Sequence, residues 1–286
     1  MKYLNLMRVH HYIKNGLIFA ALACSGMFFD WSRLLTVTIG FISFCALSSV
    51  VYIINDIQDK DKDAKHPTKC KRPIASGAVS IGQARVLAGI LLVVAVVCNC
   101  FVFKPIAAVL AGAYLLMNLL YSFKLKNVPL IDVCILVSGF LIRVVYGAVI
   151  ADINVSNWLY LTVIAISFYL ALGKRRNELN RVQNGSTRAV LKAYSREFLD
   201  KNMYMCLSLA NVFYALWSVS ESTAVHYNNR YLIFTVPLVL LITMKYSMNI
   251  EGDSEGDPVD VLLHDKVLLF LCVAYFSIMF VILYIL

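Results

Sequence analysis

The sequence predicts an all-α polytopic membrane protein with nine transmembrane helices, and three observations carry that prediction. Of 286 residues, 60% are hydrophobic and 15% are charged, where a soluble domain carries about 25% charged residues. Mean hydropathy is +0.73, and apolar runs of about 20 residues, the length that crosses a bilayer, recur along the chain. Basic residues gather in alternate gaps between those runs. Helices are the expected element because lipid offers no partner to an unpaired backbone.

In chain order, the first span is expected over about 15–29, behind a leader that carries Lys2, Arg8 and Lys14. "ALAC" at 21–24 resembles a processing site, but the apolar pattern continues down the chain, so an uncleaved span is expected. The second span, about 34–57, runs into the charged stretch "NDIQDKDKDAKHPTKCKRP" at 55–73. The third and fourth, about 81–102 and 105–123, are apolar throughout. The fifth, about 130–151, holds a cation, Arg143, well inside it. The sixth, about 157–173, is short and ends at a basic cluster. The last three are expected at about 203–221, 230–248 and 267–286. Together they form a single domain, 1–286, with no clear internal repeat or low-complexity tract. Eight scattered cysteines, without a CxxC pair, read as apolar thiols rather than disulfides or a zinc site.

With nine spans, the N-terminus and the even-numbered loops share one side. That side holds Lys2, Arg8 and Lys14, the six cations of 60–72, then Lys124 and Lys126. It also holds Lys174, Arg175, Arg176, Arg181, Arg188, Lys192, Arg196, Lys201 and Lys266. The opposite side holds Arg33, Lys104 and Arg230. By the positive-inside rule the N-terminus is cytoplasmic and the C-terminus outside, in a plasma membrane of bacterial type. The net charge of +9 is thereby assigned to orientation and anionic lipid heads. No basic platform interleaved with aromatic residues is present, which argues against nucleic acid as a partner.

Chemistry is expected at the cytoplasmic loops, which are longer and carry both signs of charge. Asp56, Asp59 and Asp63 are spaced three and four apart and share one helical face, with Asn55 one turn before Asp59. Asp61 points off that face. Carboxylates are hard ligands that suit Mg²⁺, with Mn²⁺ as an alternative, and Mg²⁺ commonly binds substrate phosphates as well. The plain structural alternative is a mixed-charge loop with intrahelical Asp–Lys pairs. His66-Pro67 then breaks the helix, and Lys69, Lys71 and Arg72 follow in a short loop. Metal-binding carboxylates beside phosphate-binding cations are what a diphosphate substrate needs.

Arg143 is costly inside a span, by about 2.5–3.5 kcal/mol on insertion scales, and should face a partner or a wet cavity; snorkelling to the outer interface is the alternative. Asp132, Leu136, Gly139, Arg143, Tyr146 and Gly147 share its helical face, and the glycines could admit substrate or a neighbouring helix. Lys14, Asn15, Tyr121, Lys124 and Lys126 sit at cytoplasmic span ends, where interface anchors are common. Asp253 and Asp257 are a weaker acidic pair, because Gly252 and Gly256 disfavour a helix there.

The chain resembles the UbiA superfamily of intramembrane prenyltransferases. The spacing Asn55-Asp56-x-x-Asp59-x-x-x-Asp63 matches that superfamily's aspartate-rich motif. "HYIKN" at 11–15, "HPTKCKRPIASG" at 66–77, "YSFKLK" at 121–126, "LGKRRNEL" at 172–179 and "DPVDVLLHDK" at 257–266 are most similar to the decaprenyl-phosphate phosphoribosyltransferase subgroup. The resemblance covers nearly the full length. It implies a UbiA-like bundle with a cavity open to the cytoplasm and sideways to lipid. It also implies Mg²⁺ held by Asp56, Asp59 and Asp63 with Asn55 in support. His66, Lys69, Arg72, Lys14, Asn15, Tyr121, Lys124, Lys126 and Arg143 become expected contacts to phosphates or to a lipid phosphate.

One departure narrows the expected substrate. Where the superfamily carries a second acidic motif, this chain reads "GKRRNELNR", with Lys174, Arg175, Arg176 and Arg181 and a lone acid, Glu178. A second carboxylate-held metal is in doubt, and the surplus of cations suits more phosphate. Phosphoribosyl diphosphate and a polyprenyl phosphate together present three anionic groups. The expectation is therefore phosphoribosyl transfer onto a polyprenyl phosphate, with Lys174, Arg175 and Glu178 among the substrate contacts. Membrane lipids are expected partners, and a homo-oligomer is left open. Prenyl transfer from a polyprenyl diphosphate to an aromatic or glycerol-type acceptor is the rival enzyme reading, and ion-coupled transport is a third class. CDP-alcohol phosphotransferases are set aside because their DG-x-x-AR element does not follow Asp59.

Overall fold

A computed structural model describes residues 1–65, 68–180, 189–227, 230–252 and 258–286. The regular elements among them are all helical. Apart from four 3₁₀ segments of three to five residues, in order they are α1 (Lys2–Met7), a 3₁₀ run (Val9–Phe19), α2 (Ala20–Ala23), α3 (Trp31–Gln58), α4 (Lys60–Ala64) and α5 (Ile81–Val102). Then come α6 (Pro105–Phe123), α7 (Ile131–Ala151), α8 (Asn157–Asn180), α9 (Arg196–Val219) and α10 (Glu221–Tyr227). The chain ends with α11 (Val236–Glu251), α12 (Pro258–His264) and α13 (Lys266–Tyr284).

Seven segments of the described residues are long and apolar enough to cross a membrane: α3, α5, α6, α7, α8, Tyr231–Glu251 and α13. Two of the nine expected spans differ. Over 15–29 the chain forms the 3₁₀ run and the four-residue α2 instead of one continuous helix. The span expected at 203–221 lies in α9, which is 24 residues long but is diluted by Asn202, Ser208, Asn211 and Ser218. α8 also runs past its expected end at 173 to Asn180, so the basic cluster lies on the helix and not in a loop.

Helix starts follow from capping chemistry. Asp30 Oδ1 accepts from the Ser32 and Arg33 amides at 3.0 and 3.2 Å, opening α3. Ser80 and Gln83 form a reciprocal capping box at α5. Pro105 stands in the first turn of α6, where its missing N–H costs nothing. Ser195 and Asp265 cap α9 and α13 in the same manner.

The chain divides into two compact units, Met1–Lys126 with Ile142–Asn154, and Asn127–Leu141 with Val155–Leu286. The core of the first is built on α3, whose Phe44, Leu47, Val50 and Ile53 are buried with Leu6, Ile18, Ile74 and Tyr146. Phe44 packs its ring 5.1 Å from Tyr114 and 4.5 Å from Tyr146. The outward faces of α5 and α6 keep Val93, Phe101, Ile106 and Val109 exposed, as lipid-facing helices do. A Cβ on Gly147 would lie 1.9 Å from the Ile18 carbonyl oxygen. The alternatives for that glycine are thus resolved: it admits the neighbouring 3₁₀ segment.

In the second unit, Tyr169, Leu172, Leu199, Met203 and Ile250 form one core. Tyr214, Trp217, Leu232, Met279 and Ile282 form another. Tyr214 and Thr235 exchange a hydroxyl hydrogen bond at 2.6 Å inside it. Lys192, Arg196 and Lys201 stay exposed while Val190, Leu191, Tyr194 and Leu199 turn inward, so this basic stretch is amphipathic.

Candidate active site

The aspartate stretch sits where α3 ends and α4 begins. The break at Asp59 is small. The Asp59 amide donates to the Asn55 carbonyl at 2.9 Å and the Asp63 amide to the Asp59 carbonyl at 2.8 Å. The four-residue periodicity therefore carries across the junction and keeps the carboxylates in register.

Two of them meet at one cation. Arg72 Nη1 donates to Asp63 Oδ2 at 2.6 Å and to Asp56 Oδ1 at 3.2 Å. Arg8 Nη2 donates to the same Asp56 oxygen at 2.6 Å. Asp56 is 2% exposed, while Arg8 and Arg72 are 17% and 25% exposed, so the carboxylate lies inside and the guanidiniums cover it. Arg8 also stacks over Tyr52, 4.7 Å from the ring centroid. Its backbone is left-handed, with φ 53° and ψ 51°, a conformation that costs an L-residue about 1–2 kcal/mol. Buried Leu6, just before it, anchors the segment.

Asp59 is turned to a different partner. Lys126 Nζ approaches its two carboxylate oxygens at 3.0 and 2.9 Å. Among the described residues, no three acidic, imidazole or thiol groups converge as a metal site would require. Of the three carboxylates expected to act together, Asp56 and Asp63 share one cation, Arg72, and Asp59 faces another, Lys126. The pair Asp56 and Asp63 fits Mg²⁺, which commonly takes one or two carboxylates and completes its shell with water and substrate phosphate.

Asn15 and Arg143 are joined in a second, buried group of the same unit. Arg143 is 7% exposed and Asn15 is 1% exposed. Arg143 Nε donates to Asn15 Oδ1 at 2.7 Å, and its Nη2 donates to the Tyr114 hydroxyl at 2.9 Å. Ser48 donates to Asn15 Oδ1 at 3.3 Å, and Asn15 Nδ2 donates to Cys45 Sγ at 3.3 Å. The intramembrane charge faces polar partners inside the bundle and does not snorkel outward.

The other expected contacts differ in burial. Lys14, Asn55, Lys69 and Tyr121 are half-buried, and Lys124 is exposed. His66, Arg181, Arg188, Asp253 and Asp257 lie outside the described residues.

In the second unit, Arg175 is 0% exposed. Its Nε donates to Asp132 Oδ2 at 2.5 Å and its Nη1 to Glu178 Oε2 at 2.7 Å. Tyr194 donates to Asp132 Oδ1 at 2.6 Å and accepts from the Leu130 amide at 2.6 Å. Burial and then the Asp132 bond push the Tyr194 hydroxyl up to about 12. Arg176 is likewise turned inward, onto Asp200. The cluster read as a phosphate-facing surface thus places two of its arginines on protein carboxylates. Lys174 and Glu178 stay half-buried at its edge.

Sequence reasoning missed Arg8, Tyr114 and Tyr194. Arg8 had a usable signal, as the lone arginine in the first 30 residues. The tyrosines had none, because their partners are distant in sequence.

A family model described as the UbiA prenyltransferase family matches residues 16–264. The decaprenyl-phosphate phosphoribosyltransferase of Mycolicibacterium smegmatis is 34% identical over 282 residues, covering 94% of this chain and 88% of that protein. The enzyme of the same name from Corynebacterium glutamicum is 32% identical over 275 residues, covering 94% and 82%. Among solved structures, a UbiA homologue from Archaeoglobus fulgidus bound to GPP and Mg²⁺ matches with a TM-score of 0.74 at 16% identity, over 99% of each chain. That likeness carries the fold. The matched length and the relatives agree with the motif at 55–63, and the chain belongs to the UbiA prenyltransferase family.

Proposed function

We propose that the protein transfers a 5-phosphoribosyl group from phosphoribosyl diphosphate to a polyprenyl phosphate and releases pyrophosphate. The observation that carries this reading is the pair Asp56 and Asp63 gathered around Arg72, with Arg8 on the same Asp56 oxygen. Carboxylates for a divalent cation and guanidiniums for phosphate stand within one hydrogen-bonded group. The names of the two bacterial relatives support the choice of donor and acceptor.

Asp56 and Asp63 would hold Mg²⁺, or Mn²⁺ in its place, with Asn55 and Asp59 in support. A bound divalent cation would neutralise charge developing on the departing diphosphate. Arg72, Lys69 and Lys14 bind phosphate oxygens and keep the diphosphate fixed while the C1–O bond lengthens. A lipid-phosphate oxygen forms the new bond to C1, and the electron pair of the broken bond leaves with pyrophosphate. The attacking oxygen is already anionic at neutral pH, so no side chain has to take a proton. Lys124, Lys126 and Tyr121 are assigned to the lipid phosphate. Asn15 and Arg143, joined in their buried polar group, are proposed as further contacts. Lys174, and Glu178 as held by Arg175, are proposed substrate contacts of the second unit.

We also propose nine crossings, adding the expected first span, about 15–29, and the one expected at about 203–221 in α9, to the seven apolar segments. The N-terminus and active site are cytoplasmic and the C-terminus is outside, supported by the alternation of basic loops.

The test is an assay on purified protein with Mg²⁺, phosphoribosyl diphosphate labelled in the ribose, and polyprenyl phosphates of several lengths. Label entering the lipid phase supports the reading. No transfer, together with turnover of a prenyl diphosphate on an aromatic acceptor, would sink it in favour of prenyl transfer.

A further inference from the structure

We propose that Arg8 is a substrate-binding residue that also competes with the metal for Asp56, so that the N-terminal segment guards the site until metal and diphosphate arrive together. The inference rests on the diphosphate reading above. Its starting point is a charge balance. Arg8, Arg72, Asp56 and Asp63 form a closed group of two cations and two anions, with Asp56 at its centre. A divalent cation seated on the two carboxylates would leave that group with a surplus of two positive charges. A diphosphate supplies the missing anions.

The two arginines are not equivalent. Arg72 bridges both carboxylates from the adjoining loop. Arg8 contacts Asp56 from a segment 48 residues away in sequence. It is held there by a left-handed backbone, by the Tyr52 ring and by buried Leu6. A left-handed non-glycine residue persists where its surroundings impose it, and such residues concentrate at functional sites. An exposed positive-inside charge would need none of these supports. Arg8 occupies one of the Asp56 oxygens that a metal would use. Displaced by the metal, its guanidinium stays beside the phosphate oxygens that the metal brings, and it can bind them in bidentate fashion.

This arrangement predicts effects of opposite sign from one substitution. In the full-length protein without substrate, Arg8→Gln should bind Mn²⁺ several-fold more tightly than wild type, read from free Mn²⁺ by electron paramagnetic resonance. In Mn²⁺-saturated protein, the same variant should bind phosphoribosyl diphosphate on the order of tenfold more weakly, read by equilibrium dialysis. Arg8→Lys keeps the charge without the planar fork and should fall between wild type and Arg8→Gln in both measurements. A merely structural role for Arg8 would weaken both affinities, and that result overturns the proposal. Unchanged Mn²⁺ affinity in Arg8→Gln overturns it too, as does a wild-type protein that binds no Mn²⁺. If wild type binds Mn²⁺ and a prenyl diphosphate but not phosphoribosyl diphosphate, the functional reading fails. The Mn²⁺ comparison still decides whether Arg8 competes for Asp56.

Discussion

Arg175 and Asp132 form an ion pair at 2.5 Å in which both side chains are fully enclosed. Two charges removed from water are stable only while each keeps its partner, and removing one from such a pair costs about 3–5 kcal/mol. Arg175→Met or Asp132→Leu should therefore lower thermal stability sharply in detergent. The double variant should lose much less than the sum of the two. Melting temperatures of the four proteins would show this, and strict additivity would mean that the two charges do not depend on each other.

Tyr194 belongs to the same group, since its hydroxyl both donates to Asp132 and accepts from the Leu130 amide. Tyr194→Phe should cost about 1–3 kcal/mol because it strips a buried carboxylate oxygen and a part-buried amide of their partner. A change in melting temperature comparable with that of an exposed control, such as Tyr3→Phe, would argue against the assignment.

Gly147 carries a steric prediction. Its missing side chain leaves room for the Ile18 carbonyl, which is backbone and cannot rotate away. Gly147→Ala should destabilise the protein by about 1–3 kcal/mol or more. Gly40→Ala should be milder, because its neighbours there are the Ile150 and Tyr146 side chains. Equal stability of Gly147→Ala and wild type would contradict the close approach.

Asp63→Asn should leave expression and melting temperature nearly intact and lower transfer by about 10²–10³-fold, the range for losing one electrostatic contact to a developing charge. Phosphoribosyl transfer under saturating Mg²⁺ is the measurement. Retention of full activity would remove Asp63 from the metal-binding pair.

The sequence foretold the elements whose signals are local. The expected 81–102 and 105–123 coincide with α5 and α6, where long apolar runs meet strong helix starts at Ser80 and Pro105. Legibility failed at 15–29, where the chain adopts an 11-residue 3₁₀ run whose apolar pattern resembles an α-helix in composition alone. It failed again after 173, because a run of three cations reads as a loop until Asp132, Glu178 and Asp200 are known to receive two of them. The meeting of Asp56 and Asp63 at Arg72 agrees with their spacing of about two turns, whereas Asp59 turns to Lys126. Arg8 stood out as the lone arginine of the first 30 residues, but nothing local ties it to Asp56, 48 residues away.

The central claim is that the ribosyl carbon moves to lipid and the diphosphate leaves. Phosphoribosyl diphosphate carrying ¹⁴C in the ribose and ³²P in the β-phosphate separates these fates in a single reaction with polyprenyl phosphate and Mg²⁺. The account predicts ¹⁴C in the extracted lipid and ³²P in water-soluble pyrophosphate, in equal amounts. Recovery of ³²P in the lipid, or no ¹⁴C there while a prenyl diphosphate is consumed, would contradict it.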